Sequence, residues 1–299
     1  MTQSVGLALS GGGARGLAHI GVLEVLEEIG TPIDMLAGTS MGGAVAAAYA
    51  AGFSAKEIEE YARNLHLLDV VKRARDGKGI ISQEKIADAF RDWLGGDLSF
   101  DDLEIPLALT AVDIQSGEEL IIRSGSVVDG ILATTALPGI FAPPQWQGRT
   151  VVDGGVLNPV PFDVVREMGA DTVIAVHTLQ AFHNILQIEA PPRGRGAEAF
   201  LRTLVRRAPW TPMIHIVERS LTLMHIQMVR ARMQQSPPDL MIEVTLDKVN
   251  LFDFDQIDVC VETGQRAALR HVHELIDLCD ELETCDLPNH LLQSPADEQ

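Results

Sequence analysis

Two stretches decide the fold: Val5-Gly-Leu-Ala-Leu-Ser-Gly-Gly-Gly-Ala-Arg-Gly16 and Ile33-Asp-Met-Leu-Ala-Gly-Thr-Ser-Met-Gly-Gly43. In the first, the apolar run 5–9 stops at glycines. Val22, Leu23, Leu26 and Ile29 then recur at helical spacing, facing away from Glu24, Glu27 and Glu28. In the second, Ile33 to Ala37 ends at another glycine turn, and an alanine-rich stretch of high helix propensity runs on to Ala51. Strand, turn and helix therefore occur twice in fifty residues. Working outward, Leu107–Val112, Glu119–Ile122, Thr150–Val152 and Thr172–Val176 read as further strands, alternating with helical stretches at Gln83–Leu94 and Asp163–Met168. This alternation predicts an α/β fold, a three-layer α/β/α sandwich around a largely parallel central sheet.

Composition bounds what such a chain can do. With 299 residues, 46% hydrophobic and 22% charged, it is long enough to bury a sizeable core, as one large α/β domain or as two units. A net charge of −19 argues against nucleic acid as a partner, because displacing counterions needs a basic face. The apolar run Met41 to Phe53 is shorter than the roughly 20 residues that cross a bilayer. The N-terminus has no basic cluster of a secretion signal, so the expected compartment is cytoplasmic. Cys260, Cys279 and Cys285 form no C-x-x-C pair and lie near no zinc-spaced histidines, which reads as reduced, structural thiols.

The character of the chain changes near residue 181. Between Phe182 and Gln235 eight arginines face three glutamates, a local surplus of +5 in an acidic protein. Ile214, Val217, Leu221, Met224 and Met228 recur at 3–4 residue spacing there, and Pro191, Pro192, Pro209 and Pro212 are expected to break the stretch into helical pieces. The reading divides the chain into a core over 1–180, a basic, mainly helical lid or interface segment over 181–238, a strand and helix over 239–285 that complete the domain, and a disordered tail over 286–299. Leu240–Leu246 is the late strand and Val261 to Leu282 the late helix.

Three short segments carry chemistry. Gly38-Thr39-Ser40-Met41-Gly42 lies between a strand and a helix and fits a nucleophile elbow, whose sharp turn exposes the serine hydroxyl; the alternative is a turn that only caps a helix through Thr39 or Ser40. Gly11-Gly12-Gly13-Ala14-Arg15-Gly16 offers backbone N–H groups at a helix N-terminus, suited to an anion. It also matches a dinucleotide fingerprint, with Asp34 downstream, but that acid opens the next apolar run where a ribose-binding carboxylate would end it. Asp153-Gly154-Gly155 follows a short strand and reads, by itself, as a turn.

Together, in this order, the three segments resemble the patatin-like phospholipase family, particularly its bacterial members. Ala136-Leu137-Pro138-Gly139-Ile140-Phe141-Ala142-Pro143 and Asn158-Pro159-Val160-Pro161 support the match, which covers about residues 5–180; Thr135 departs from it, standing where a serine is expected. The resemblance implies a patatin-like fold and a serine lipid acyl hydrolase of phospholipase A or lysophospholipase type. In that mechanism Ser40 is the nucleophile, Asp153 the general base, and the 11–16 backbone an oxyanion hole near the charge of Arg15. No histidine relay, metal or cofactor is required. His19 is then a packing or hydrogen-bonding residue, and His271 and His273 surface residues. The basic segment is either a packed helix or oligomer contact, or a surface that meets anionic lipid headgroups at a membrane. A transacylase with the same dyad and a regulatory or adaptor protein on the same fold are the alternatives.

Overall fold

The strand Val5–Leu9 (β1) is apolar and buried at every position, the pattern of a parallel strand covered on both faces. In the computed structural model, which describes residues 3–64, 72–73, 81–82, 84–179 and 211–281, it lies at the centre of an eight-stranded sheet. The other strands are Met35–Gly38 (β2), Leu107–Asp113 (β5), Glu119–Ile122 (β6), Gln145–Trp146 (β7), Arg149–Asp153 (β8), Thr172–Leu179 (β9) and Leu240–Thr245 (β10). Lys72–Arg73 (β3) and Ile81–Ser82 (β4) pair separately. The helices are Ala18–Ile29 (α1), Ser40–Ala50 (α2), Ala55–Asn64 (α3), Glu84–Trp93 (α4), Val127–Thr134 (α5), Phe162–Met168 (α6), Thr211–Met233 (α7), Ile257–Leu269 (α8) and Val272–Glu281 (α9).

Strands β10, β9, β1, β2 and β5 run parallel in that order; β8, β7 and β6 add antiparallel pairings. The register around β5 positions the site. Leu109 pairs with both Gly38 of β2 and Ile122 of β6, and Ala111 pairs with both Leu120 of β6 and Asp153 of β8. Because a residue has two edges, β6 occupies one edge of β5, and β2 and β8 share the other. Strand β2 runs parallel to β5 and β8 antiparallel, so their C-terminal ends meet head-on beside Thr110. Those ends carry Ser40 and Asp153.

The two faces of the sheet differ in side-chain size. Leu7, Leu9, Leu36, Leu109, Ile174 and Val176 pack into the larger core with α1, α2, α5 and α8. On the opposite face Ala8, Ala37, Ala108 and Ala175 make a shallow surface on which Val164 and Val165 of α6 and Val229 of α7 pack. A side chain at Gly6 would meet Val165 Cγ1 at 2.0 Å, which shows how closely α6 approaches. This is the expected α/β/α sandwich. Among the described residues no helix is long and apolar enough to cross a membrane.

Pro212 is the second residue of α7, where a helix can begin and a missing N–H costs no hydrogen bond. Along α7 Met224 is 54% exposed, whereas Leu221, His225, Val229 and Arg232 turn toward the body of the protein. Hydrophobicity alone misplaces that face, because its inward positions include a histidine and an arginine. The single late helix from Val261 to Leu282 is two, α8 and α9, divided where His271 N–H donates to Ala268 O (2.9 Å) in a tight turn. Apolar spacing continues from Ala268 to Val272, Leu275 and Ile276, so periodicity hides the break. The Ile33–Ala37 run pairs as Met35–Gly38. Residues 180–210 and the tail 286–299, together with Cys285 and the side chains of Ile214, Val217 and Cys279, lie outside the described residues. Cys260 is a buried free thiol.

Candidate active site

Each turn at the site is set by a glycine whose absent Cβ makes room for backbone. A Cβ at Gly38 would sit 2.4 Å from Gly43 Cα, and one at Gly42 would sit 2.4 Å from Leu9 O. The chain thereby folds tightly from β2 into α2 against the end of β1. Ser40, at the bend, has φ +54°, left-handed backbone that costs a non-glycine residue of order 1 kcal/mol or more. Its neighbours hold it there. Ser40 N–H donates to Thr134 Oγ1 (2.9 Å), and Thr39 Oγ1 donates to Asn158 O (2.8 Å) and lies 2.7 Å from Thr110 Oγ1. Thr135 donates its hydroxyl to Ile131 O (2.7 Å), a bond that serine could make equally well.

Ser40 Oγ donates to Asp153 Oδ2 at 2.6 Å across 113 residues of sequence, and the other carboxylate oxygen accepts Gly155 N–H at 2.7 Å. Gly154 permits this turn, since a Cβ there would meet Thr110 Oγ1 at 2.0 Å. Asp153 is buried, and desolvation pushes its pKa up to about 6 despite the opposing bonds from Ser40 and Gly155. Beside it, His225 of α7 hydrogen-bonds the Gly155 backbone; burial, with the charge of Arg15, lowers its pKa to about 4. His225 is a site residue that sequence reasoning missed. It lies far from every motif, and only the packing of α7 brings it in.

The glycine-rich loop is partly committed to structure. Gly11 N–H donates to Pro159 O (3.0 Å), Ala14 N–H to Leu251 O (2.9 Å) and Arg15 N–H to Gly12 O (3.2 Å). Gly12 and Gly13 retain N–H groups with no backbone acceptor among the described residues. The same holds for Met41, directly after Ser40 in the first turn of α2. Close packing shapes the loop: a side chain at Gly12 would strike Thr178 Oγ1, one at Gly13 the Leu251 carbonyl, and one at Gly16 the Met41 side chain. Arg15 is 5% exposed and lines the cavity. His19 is fully buried, its Nε2 2.8 Å from Ser10 O, and desolvation lowers its pKa to about 4. His271 is half-buried and His273 exposed.

Ser40, Asp153 and the loop open onto a cavity of about 440 Å³, within the range of small-molecule sites. Met41, Ala44 and Val45 of α2 line it, facing Ile58 and Tyr61 of α3 and Ile86, Phe90 and Trp93 of α4, with Leu221, Leu251 and Phe252 on the remaining side. Apart from the loop and the Ser40–Asp153 pair the wall is almost wholly apolar. No local motif marks these wall residues, because they come from five separate stretches.

Known proteins resemble this chain in sequence and in fold. An uncharacterized NTE family protein of Mycobacterium tuberculosis is 39% identical over 175 residues, 58% of this chain and 48% of that one. Patatin-like phospholipase domain-containing protein 6 of Homo sapiens is 34% identical over 182 residues, 58% of this chain and 13% of that one. A second NTE family protein, from Mycobacterium bovis, is 29% identical over 286 residues, 89% of this chain and 46% of that one. The matches thus span about half the length of these mycobacterial relatives and a smaller part of the human one. The crystal structure of VipD from Legionella pneumophila shares the fold, with a TM-score of 0.57 at 13% identity over 91% of this chain and 67% of that one. The profile described as patatin-like phospholipase matches residues 7–166, which hold the glycine loop, Ser40 and Asp153, and the chain belongs to that family.

Proposed function

We propose that this protein is a serine hydrolase of lipid carboxylic esters, of phospholipase A or lysophospholipase type, working through an acyl-enzyme on Ser40. The observation that carries the proposal is the 2.6 Å bond from Ser40 Oγ to a buried Asp153, both lining an apolar cavity. Ser40 Oγ attacks the ester carbonyl while Asp153 takes its proton. An aspartate at its ordinary pKa near 3.9 is a weak base; desolvation raises Asp153 toward the range in which proton transfer near neutral pH is effective. The tetrahedral oxyanion then faces N–H donors from Gly12, Gly13 and Met41, each worth about 3 kcal/mol in the transition state. Asp153 returns the proton to the departing alcohol, then takes a proton from the water that attacks the acyl-enzyme and passes it to Ser40 Oγ as the Oγ–acyl bond breaks and the fatty acid leaves.

The test is hydrolysis of a p-nitrophenyl ester and a lysophospholipid, with chelator present, by wild type, Ser40→Ala and Asp153→Asn. Turnover by wild type and a loss of about 10³-fold or more in both folded variants is expected. Because the Ser–Asp route uses no metal, added calcium leaves the wild-type rate unchanged. An inert wild type, or an active Ser40→Ala, refutes the reading.

A further inference from the structure

The cavity is lined by an aromatic cluster as well as by the Ser40–Asp153 pair. Strand β2 delivers Ser40 to the N-terminus of α2, and the eleven residues of that helix run about 16 Å away from it. Met41, Ala44 and Val45 line the cavity along the first half of this length. Beyond the far end of α2 stands Phe53, whose N–H donates to Ala48 O at 3.3 Å. Trp93 packs on Phe53 with ring centroids 5.2 Å apart and stacks on Tyr61 at 4.2 Å, with Phe90 at 6.2 Å. Tyr61 and Trp93 face the cavity, whereas Phe53 backs them from outside it. Phe252, which also lines the cavity, is 43% exposed.

We infer that Trp93, clamped by Tyr61 and Phe53, is the end wall of an acyl-chain channel and sets the longest chain this protein accepts. The inference rests on the hydrolase reading for its substrate class, an unbranched fatty acyl group. Three features support it. The nucleophile stands at the N-terminus of α2, the aromatic cluster packs on Phe53 past its C-terminus, and Met41, Ala44 and Val45 line the cavity along the helix. The Tyr61 hydroxyl on this wall donates to Ala89 O (2.9 Å), so rings rather than polar groups make up most of the surface offered to a ligand. That same bond ties α3 to α4 and, with three ring contacts on Trp93, makes the wall rigid rather than yielding. A chain that fits gains about fourfold in kcat/KM for each methylene reaching apolar lining; one that is too long meets a fixed indole.

Two substitutions with opposite effects test the inference. Trp93→Ala removes the end wall, and Ala44→Leu narrows the channel one helical turn from Ser40. With p-nitrophenyl esters from butyrate to palmitate, Trp93→Ala is expected to raise the ratio of long-chain to short-chain kcat/KM by tenfold or more, and Ala44→Leu to lower it by a similar factor. In parallel, fatty acids of graded length displace a fluorescent fatty acid from Ser40→Ala protein with and without Trp93→Ala; the preferred length is expected to move upward when Trp93 is absent. An unmoved profile in folded variants, in either arm, overturns the inference. A shifted binding profile with an inert wild type keeps the channel and refutes the hydrolase reading, so the two failures are distinct.

Discussion

Ser40 and Asp153 show how a residue's chemistry depends on where the backbone leaves it. The serine sits in a strained left-handed conformation that a turn capping a helix does not need, and the aspartate is desolvated while held by two donors. Both features oppose stability and serve reactivity. The pH dependence follows. Asp153 must be ionised to accept a proton, so kcat/KM falls as pH drops through about 6, with a limb that Asp153→Asn lacks. Stability moves the other way: a carboxyl raised in the folded state contributes stability below its unfolded value near 3.9 and loses it as pH rises through about 6. Asp153→Asn is therefore expected to be more stable than wild type at pH 8, by up to about 3 kcal/mol, and no more stable at pH 4. Urea denaturation at the two pH values checks this; equal stability at pH 8 counts against a desolvated carboxylate. Sequence makes Ser40 readable through its strand–turn–helix context. Asp153 is readable only by family resemblance, because a local Asp-Gly-Gly is otherwise a turn.

Among the elements, α7 matters more than its sequence suggests. Its sequence reads either as a packed helix or oligomer contact or as a lipid-facing surface; Arg232 is directed inward, donating to Glu119 Oε2 (2.7 Å) and Leu157 O (3.2 Å) and paired with Asp163. Asn158 Nδ2 donates to the same two carboxylates, at 2.8 and 2.9 Å, and its carbonyl accepts the Thr39 hydroxyl. The helix is thus fastened to the segment that follows Asp153 and, through Asn158, to the elbow before Ser40. Removing one partner leaves two half-buried carboxylates facing each other, which costs more than the pair contributed. Arg232→Ala is expected to cost about 2 kcal/mol and to lower kcat, because Leu221 and His225 lose their seat on the cavity wall. Faster proteolysis within α7 together with reduced turnover would bear this out. Unchanged stability would show the link to be a solvated surface pair. Helical periodicity could find α7 but not orient it, since the residues that anchor it are polar.

For the whole molecule, the histidines of the interior set the acid limit. His19, His177 and His225 are held near pKa 4 chiefly by desolvation, and His225 and His19 further lower the basicity of His177. A depressed folded-state value means that the unfolded chain binds these protons first. Their contribution is complete above about 6.5 and is lost as pH falls through about 4. Stability is expected to fall by several kcal/mol between pH 7 and 4, with proton uptake on unfolding in calorimetry; a flat profile across that range would contradict the burial of these rings. The sequence by itself determined the α/β class, most strands and helices, and the three motif segments, because strands buried on both faces must be apolar and tight turns must be glycine. Tertiary structure alone decided the rest. The register of β5 brings the ends of β2 and β8 together, joining Ser40 to Asp153. The packing of α3, α4 and α7 encloses the cavity with residues that no local pattern marks, because each is selected by a neighbour distant in the chain.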